Sequence, residues 1–112
     1  MEEALPKHTD KFPAGSSFFV AKTERRVETA LKRALRARGF EVAGRKEEAD
    51  LVMTANVIGW EYNDAGFSGF RSRVDMSLVI TVTDRKTKFV RARSNVKIRS
   101  NFRILEKYVK TL

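Results

Sequence analysis

The sequence predicts an α+β fold: an antiparallel sheet of three to four strands with two helices packed on one face, in the order (β)αβββα. Three observations carry that expectation. From Arg73 to Arg99, apolar and polar side chains alternate with a period of two, which buries one face of a hairpin and wets the other. Two other segments, one from Thr23 to Arg38 and one ending at Leu112, instead repeat apolar residues at helical spacing. Between them, the stretch after Asp50 is weakly polar on both sides, as suits a central strand.

Residues 1–17 hold both prolines and a Gly-Ser-Ser run, and read as a flexible N-terminal arm. Residues 18–112 then form a single α+β domain. Phe18, Phe19 and Val20 fit either a short leading strand or an apolar entry to the first helix. In that helix Val27, Ala30, Leu31, Ala34 and Leu35 form one stripe, with Thr23 as its N-cap and Glu24 in the first turn. Gly39 is the expected C′ residue, and Phe40 the apolar residue that folds back on Leu35.

Glu41 to Ala43 reads as a short strand, followed by a turn. The next strand places Leu51, Met53, Ala55 and Val57 on one side. Val52, Thr54, Asn56, Ile58, Trp60 and Tyr62 lie on the other. Asn63 to Phe70 is a glycine-rich connection. In the hairpin, a turn over Arg85, Lys86 and Thr87 would set Val82 against Val90, Ile80 against Ala92 and Met76 against Val96. That register opposes Asp75 to Lys97 on the wet face and turns residues 90, 92, 94, 96 and 98 inward. Ser100 or Asn101 can cap the last helix, whose Leu105, Tyr108, Val109 and Leu112 repeat at i, i+3, i+4 and i+7.

Composition narrows the function classes. The chain has 112 residues and no cysteine, so disulfides and thiolate chemistry are excluded. No apolar run is long enough to span a membrane, and the opening MEEALPKHTDKFPAG is not a signal peptide. Net charge is +9, unevenly spread: residues 71–112 carry twelve basic and three acidic side chains, residues 47–70 five acidic and no basic ones. Such a field concentrates polyanions or anionic surfaces, although a basic solvated surface has the same composition.

No residue set names a reaction, and we expect no enzyme, metal or cofactor. The single histidine, His8, sits in the arm, and Glu47, Glu48 and Asp50 read more simply as a solvated turn. Gly66-Phe67-Ser68-Gly69 is neither a nucleophile elbow nor a phosphate loop. Two candidate binding surfaces follow. Arg71, Arg73, Arg91, Arg93, Lys97 and Arg99 build a basic wet face whose guanidinium forks suit phosphate and carboxylate. Trp60, Tyr62, Phe67 and Phe70 build an aromatic contact patch, or else close one end of the core.

The helix ending in Arg-Gly-Phe (38–40), the Glu-Ala-Asp-Leu-Val (48–52) that opens a strand, and the Ser-Leu-Val-Ile-Thr-Val-Thr-Asp-Arg-Lys-Thr-Lys (77–88) strand and turn form a recurring pattern. On these motifs the run from Thr23 to Arg99 resembles small bacterial cell-envelope (outer-membrane) lipoproteins of uncharacterised function, YajG-like or similar to the lipopolysaccharide-assembly lipoproteins. The resemblance implies a periplasm-facing, membrane-tethered, non-enzymatic module. The basic wet face, rather than the resemblance, sets the expected partner: an anionic lipid or glycolipid head group, or an acidic protein. The chain lacks the acylated cysteine and leader of that family, so envelope placement follows only if a leader was removed, and cytoplasm otherwise. It also lacks a tryptophan early in the last strand, where Val90 or Arg91 stands. A rival reading is a nucleic-acid-binding domain, since double-stranded-RNA-binding domains also run αβββα. Their lysine-rich start to the second helix is replaced here by Asn101-Phe102-Arg103-Ile104.

Overall fold

The structure is a computed structural model that describes residues 12–63, 73–99 and 102–112. Strand β1 (Ser17–Val20) leads into helix α1 (Arg25–Ala37), strand β2 (Glu41–Val42) and a single 3-10 turn (Lys46–Glu48). Strands β3 (Leu51–Asn63), β4 (Arg73–Asp84) and β5 (Val90–Ile98) follow, then helix α2 (Arg103–Lys110). The five strands form one sheet in the order β2-β1-β3-β4-β5. The α+β reading is correct, and the antiparallel β3-β4-β5 core is as expected. The sheet is mixed, however, because β1 pairs in parallel with both β2 and β3. Phe18, Phe19 and Val20 thus belong to a strand, and β3 is indeed internal.

Helix α1 starts and stops through local chemistry. The Glu24 carboxylate accepts the backbone N–H groups of Arg26 and Val27 at 2.8 and 3.0 Å, so Glu24, not Thr23, is the N-cap. Thr23 donates its hydroxyl to the Ala55 carbonyl at 2.7 Å and so ties the helix entry to β3. At the other end Gly39 has φ +97°, with the Gly39 and Phe40 N–H groups bonded to the carbonyls of Arg36 and Leu35. This is the Schellman arrangement, and it sends Phe40 into the core.

The core lies between the inward sheet face and both helices. Leu31 and Leu35 of α1 meet Met53 of β3 and Leu78 and Ile80 of β4, with Leu105 and Val109 from α2. Each such side chain stabilises by roughly 1.5–3 kcal/mol on burial. Leu105, Tyr108, Val109 and Leu112 are all buried, as their spacing predicts. Phe12, assigned to the arm, is buried in an edge-on contact with Phe18, ring centroids 5.5 Å apart. Its N–H bonds the Leu112 carbonyl at 3.2 Å. The proposed caps Ser100 and Asn101 lie outside the described residues; Phe102 occupies the cap position and makes no side-chain cap bond.

The hairpin register needs correcting. Val82 faces Ala92, Ile80 faces Ser94, Leu78 faces Val96 and Met76 faces Ile98, two residues away from the expected pairing. Two local features each add one residue. The turn runs one residue longer, with Lys88 at φ +66° and the Asp84 N–H bonded to the Phe89 carbonyl. A bulge then leaves Arg91 extra between the Val82–Ala92 and Thr83–Val90 pairs. A shift of two preserves the faces, so residues 92, 94, 96 and 98 still look inward. Val90 does not: the bulge puts it beside Thr83 on the outer face, 52% exposed.

Candidate functional site

Both helices cover one face of the sheet, and no described helix covers the other. That outer face carries Thr54 and Asn56 from β3, Ser77, Val79 and Thr81 from β4, and Arg93, Asn95 and Lys97 from β5. Across the strands, Thr81 stands between Thr54 and Arg93, and Ser77 between Gly59 and Lys97. The expected Asp75–Lys97 opposition is therefore absent, because the two-residue shift sets Lys97 against Ser77. Lys97 instead reaches over β4, and its Nζ lies 2.9 Å from Glu61 Oε1. Asp75, next to Glu61 in register, is 2% exposed.

The six predicted cations do not act as one row. Arg93 and Arg99 are exposed and have no ion-pair partner among the described residues. Lys97 is occupied by Glu61. Arg91, displaced by the bulge, turns away from that row: its guanidinium stacks 5.3 Å from the Phe12 ring centroid and lies 3.9 Å from Asp84 Oδ2. Arg91 thus has an acid near it. Arg71 lies outside the described residues, as does the side chain of Arg73.

Asp84 explains the shape of this corner. Its Oδ1 accepts the backbone N–H groups of Lys86 and Thr87, both at 3.0 Å. The Thr87 bond is the main influence holding the carboxyl below its usual range; Lys86, the Thr87 side chain and the charge of Arg91 add to it against some desolvation. The carboxylate organises the turn from which β5 departs, and so helps place the bulge.

The aromatic patch is also altered. A bulge at Ile58, between the Val57–Leu78 and Gly59–Ser77 pairs, reverses the facing of Trp60 and Glu61. Trp60 pairs with Met76 and shares its inward register, not the outer face that simple alternation assigned. It is nevertheless 57% exposed. Ile58, on the bulge itself, is 63% exposed. Phe67 and Phe70 lie outside the described residues, as does the side chain of Tyr62. No cluster of metal-ligating side chains occurs among the described residues. Within the proposed acidic turn, Glu48 pairs with Arg45 at 3.2 Å and Asp50 accepts the Ser17 hydroxyl.

No family model matches the chain, and no curated protein matches its sequence. Solved structures do match its backbone. PelC from Paraburkholderia phytofirmans, a dodecamer, is 18% identical with a TM-score of 0.57, over 89% of this chain and 86% of that one. Lipoprotein GNA1162 from Neisseria meningitidis is 15% identical with a TM-score of 0.54, over 84% and 92% of the two chains. The chain shares their fold. Protein XCC0632 from Xanthomonas campestris, 12% identical, aligns with a TM-score of 0.56 over 88% of this chain and 76% of its own. At these identities the common ground is the backbone, which agrees with the lipoprotein resemblance at the level of fold. No helix among the described residues is long and apolar enough to cross a membrane.

Sequence reasoning missed two things at this site: the place of Arg91 and the exposure of Ile58. Both follow from bulges, which insert a residue without changing the composition around it. The Asp-x-Lys-Thr pattern of the turn was a usable signal for the Asp84 bonds. The left-handed Lys88 had none, since lysine rarely takes that conformation.

Proposed function

We propose that this chain is a non-enzymatic cell-envelope module of the lipoprotein type, which holds an anionic lipid or glycolipid head group on the outer face of its sheet. One observation carries the binding part of the reading: Arg93 and Arg99 are exposed on the last strand side, with no acid engaging them among the described residues. Guanidinium groups present paired donors that match phosphate and carboxylate oxygens. The threonine and serine hydroxyls alongside add neutral donors. The backbone shared with a Neisseria lipoprotein supports the envelope setting. The resemblance of residues 23–99 to YajG-type and lipopolysaccharide-assembly lipoproteins points the same way.

The test is co-sedimentation with vesicles of phosphatidylcholine alone or mixed with phosphatidylglycerol. The expected result is retention on the anionic vesicles only, lost in the double variant Arg93→Glu/Arg99→Glu while the melting temperature is unchanged. Equal retention of variant and wild type would reduce this face to a solvated surface. Duplex RNA and single-stranded DNA should be titrated in parallel at low and physiological salt. Binding to either that survives physiological salt would replace the head-group reading with the nucleic-acid alternative.

A further inference from the structure

We propose that the open edge of β5, with the cleft between β5 and α2, receives an extended segment of a partner protein in which acidic and apolar side chains alternate. This goes beyond the head-group reading and uses another surface, the edge and inner side of β5 rather than its outer face.

Strand β5 is nine residues long and ends the sheet, with β4 on one side and no strand among the described residues on the other. Every second residue of such a strand turns its N–H and C=O away from its neighbour, a template for one more strand. The bulge blunts the edge only near Arg91. Beside the remainder opens a cleft of about 440 Å³, walled by Ser94 and Val96 of the strand and by Ile104, Lys107, Tyr108 and Thr111 on the helix side. An added strand would turn alternate side chains into this cleft, since the inward register of β5 continues into its neighbour.

Tyr108 supplies the independent observation. It lines the cleft and is 7% exposed, and its hydroxyl is buried with no hydrogen-bond partner among the described residues. Buried polar groups in folded proteins are nearly always paired, so one that is not calls for an explanation. Like any phenol it is protonated at neutral pH, and burial, which pushes its pKa up to about 12, keeps it a hydrogen-bond donor. A backbone carbonyl or carboxylate of an incoming segment is such an acceptor.

Charge selects the segment. Lys97 and Lys107 line the cleft and Arg93 is exposed on the same strand, while no carboxylate among the described residues lines it. Acidic side chains fit that rim, while apolar ones fit the cleft beside Val96 and Ile104. A second copy pairing edge to edge would instead bring two sets of cations together.

The probe is a fluorescein-labelled decapeptide of alternating glutamate and valine, titrated into the intact chain and followed by anisotropy. We expect saturable binding, at least tenfold weaker for the lysine–valine counterpart, with amide exchange slowed over residues 90–98. Tyr108→Phe should weaken binding roughly five- to tenfold while the melting temperature of the free protein holds or rises, because the variant removes an unpartnered group. Lys107→Glu should weaken binding at least as much. The proposal is overturned by absence of binding at about 1 mM peptide, by equal binding of both peptides, or by wild-type affinity in Tyr108→Phe. Concentration-dependent association of the protein alone, with β5 amides protected, would assign the edge to a second copy and overturn it too. No membrane enters these measurements, so they succeed or fail apart from the vesicle result.

Discussion

The guanidinium of Arg91 lies over the ring of Phe12, 5.3 Å from its centroid. The bulge in β5, the N-terminal segment and the end of the chain meet at this corner, because the Phe12 N–H also bonds the Leu112 carbonyl. A cation expected to face a ligand instead covers a core phenylalanine, its own side chain still 41% exposed.

Phe12 should therefore matter more to stability than its place in a proline-containing arm suggests. Phe12→Ala is expected to cost about 3–5 kcal/mol, as for other buried phenylalanines. Arg91→Gln should cost only about 0.5–1 kcal/mol, the scale of an exposed cation–π contact. Urea unfolding midpoints measure both. Arg91→Gln should also keep wild-type retention on anionic vesicles, whereas the Arg93/Arg99 double variant should not.

Gly39 should be intolerant of a side chain for conformational reasons alone. A Cβ at this position would meet no atom within 4 Å, so steric crowding is not the obstacle. Its φ of +97° is the obstacle, and Gly39→Ala should destabilise by about 1–2 kcal/mol. A thermal melt with unchanged secondary structure in the remaining folded fraction would bear this out; an unaltered midpoint would contradict it.

The first turn of α1 should lose its support in acid. Burial pushes the Glu24 carboxyl up, but the Val27 N–H, the Arg26 side chain and its charge together hold it below the ordinary glutamate value. For Glu28 the hydrogen bond from Lys32 does most of the lowering, against a smaller desolvation. A carboxylate depressed on folding contributes stability above its unfolded pKa of about 4.5 and loses it as pH falls through the folded value. Unfolding free energy should thus drop below about pH 4.5, and the drop should be shallower in Glu24→Gln. Equal pH slopes in the two proteins would refute this assignment.

The Glu61–Lys97 pair spans three strands at 2.9 Å, yet both side chains are substantially exposed. Its coupling energy should be under about 1 kcal/mol and should shrink further in salt. A double-mutant cycle with Glu61→Gln and Lys97→Met at two ionic strengths measures it. A coupling insensitive to salt would imply a much drier environment than its exposure indicates.

Much of the fold was legible along the chain, and less of the site. The α1 stripe, the glycine stop with Phe40 folding back, and the apolar repeat of α2 all depend on neighbours within four or five residues. Simple alternation also assigned the inward residues of β3 up to Val57 and of β5 from Ala92 onward. The candidate site suffered because it sits beyond two bulges. Arg91 and Trp60 each follow or occupy a point where one extra residue resets the face, and Ile58 and Arg91 are ordinary strand residues by type.

The sequence by itself determined which of the longer segments curl and which extend, and which side of each is dry up to the bulges, because side-chain periodicity and turn chemistry act locally. Only the tertiary structure decided that β1 runs parallel between β2 and β3, that the hairpin slips by two, and that Phe12 fills the corner beneath Arg91. Those choices depend on contacts between residues far apart in the chain. A slip of two or a single bulge leaves the local apolar pattern intact, and is selected only by how well the whole core closes.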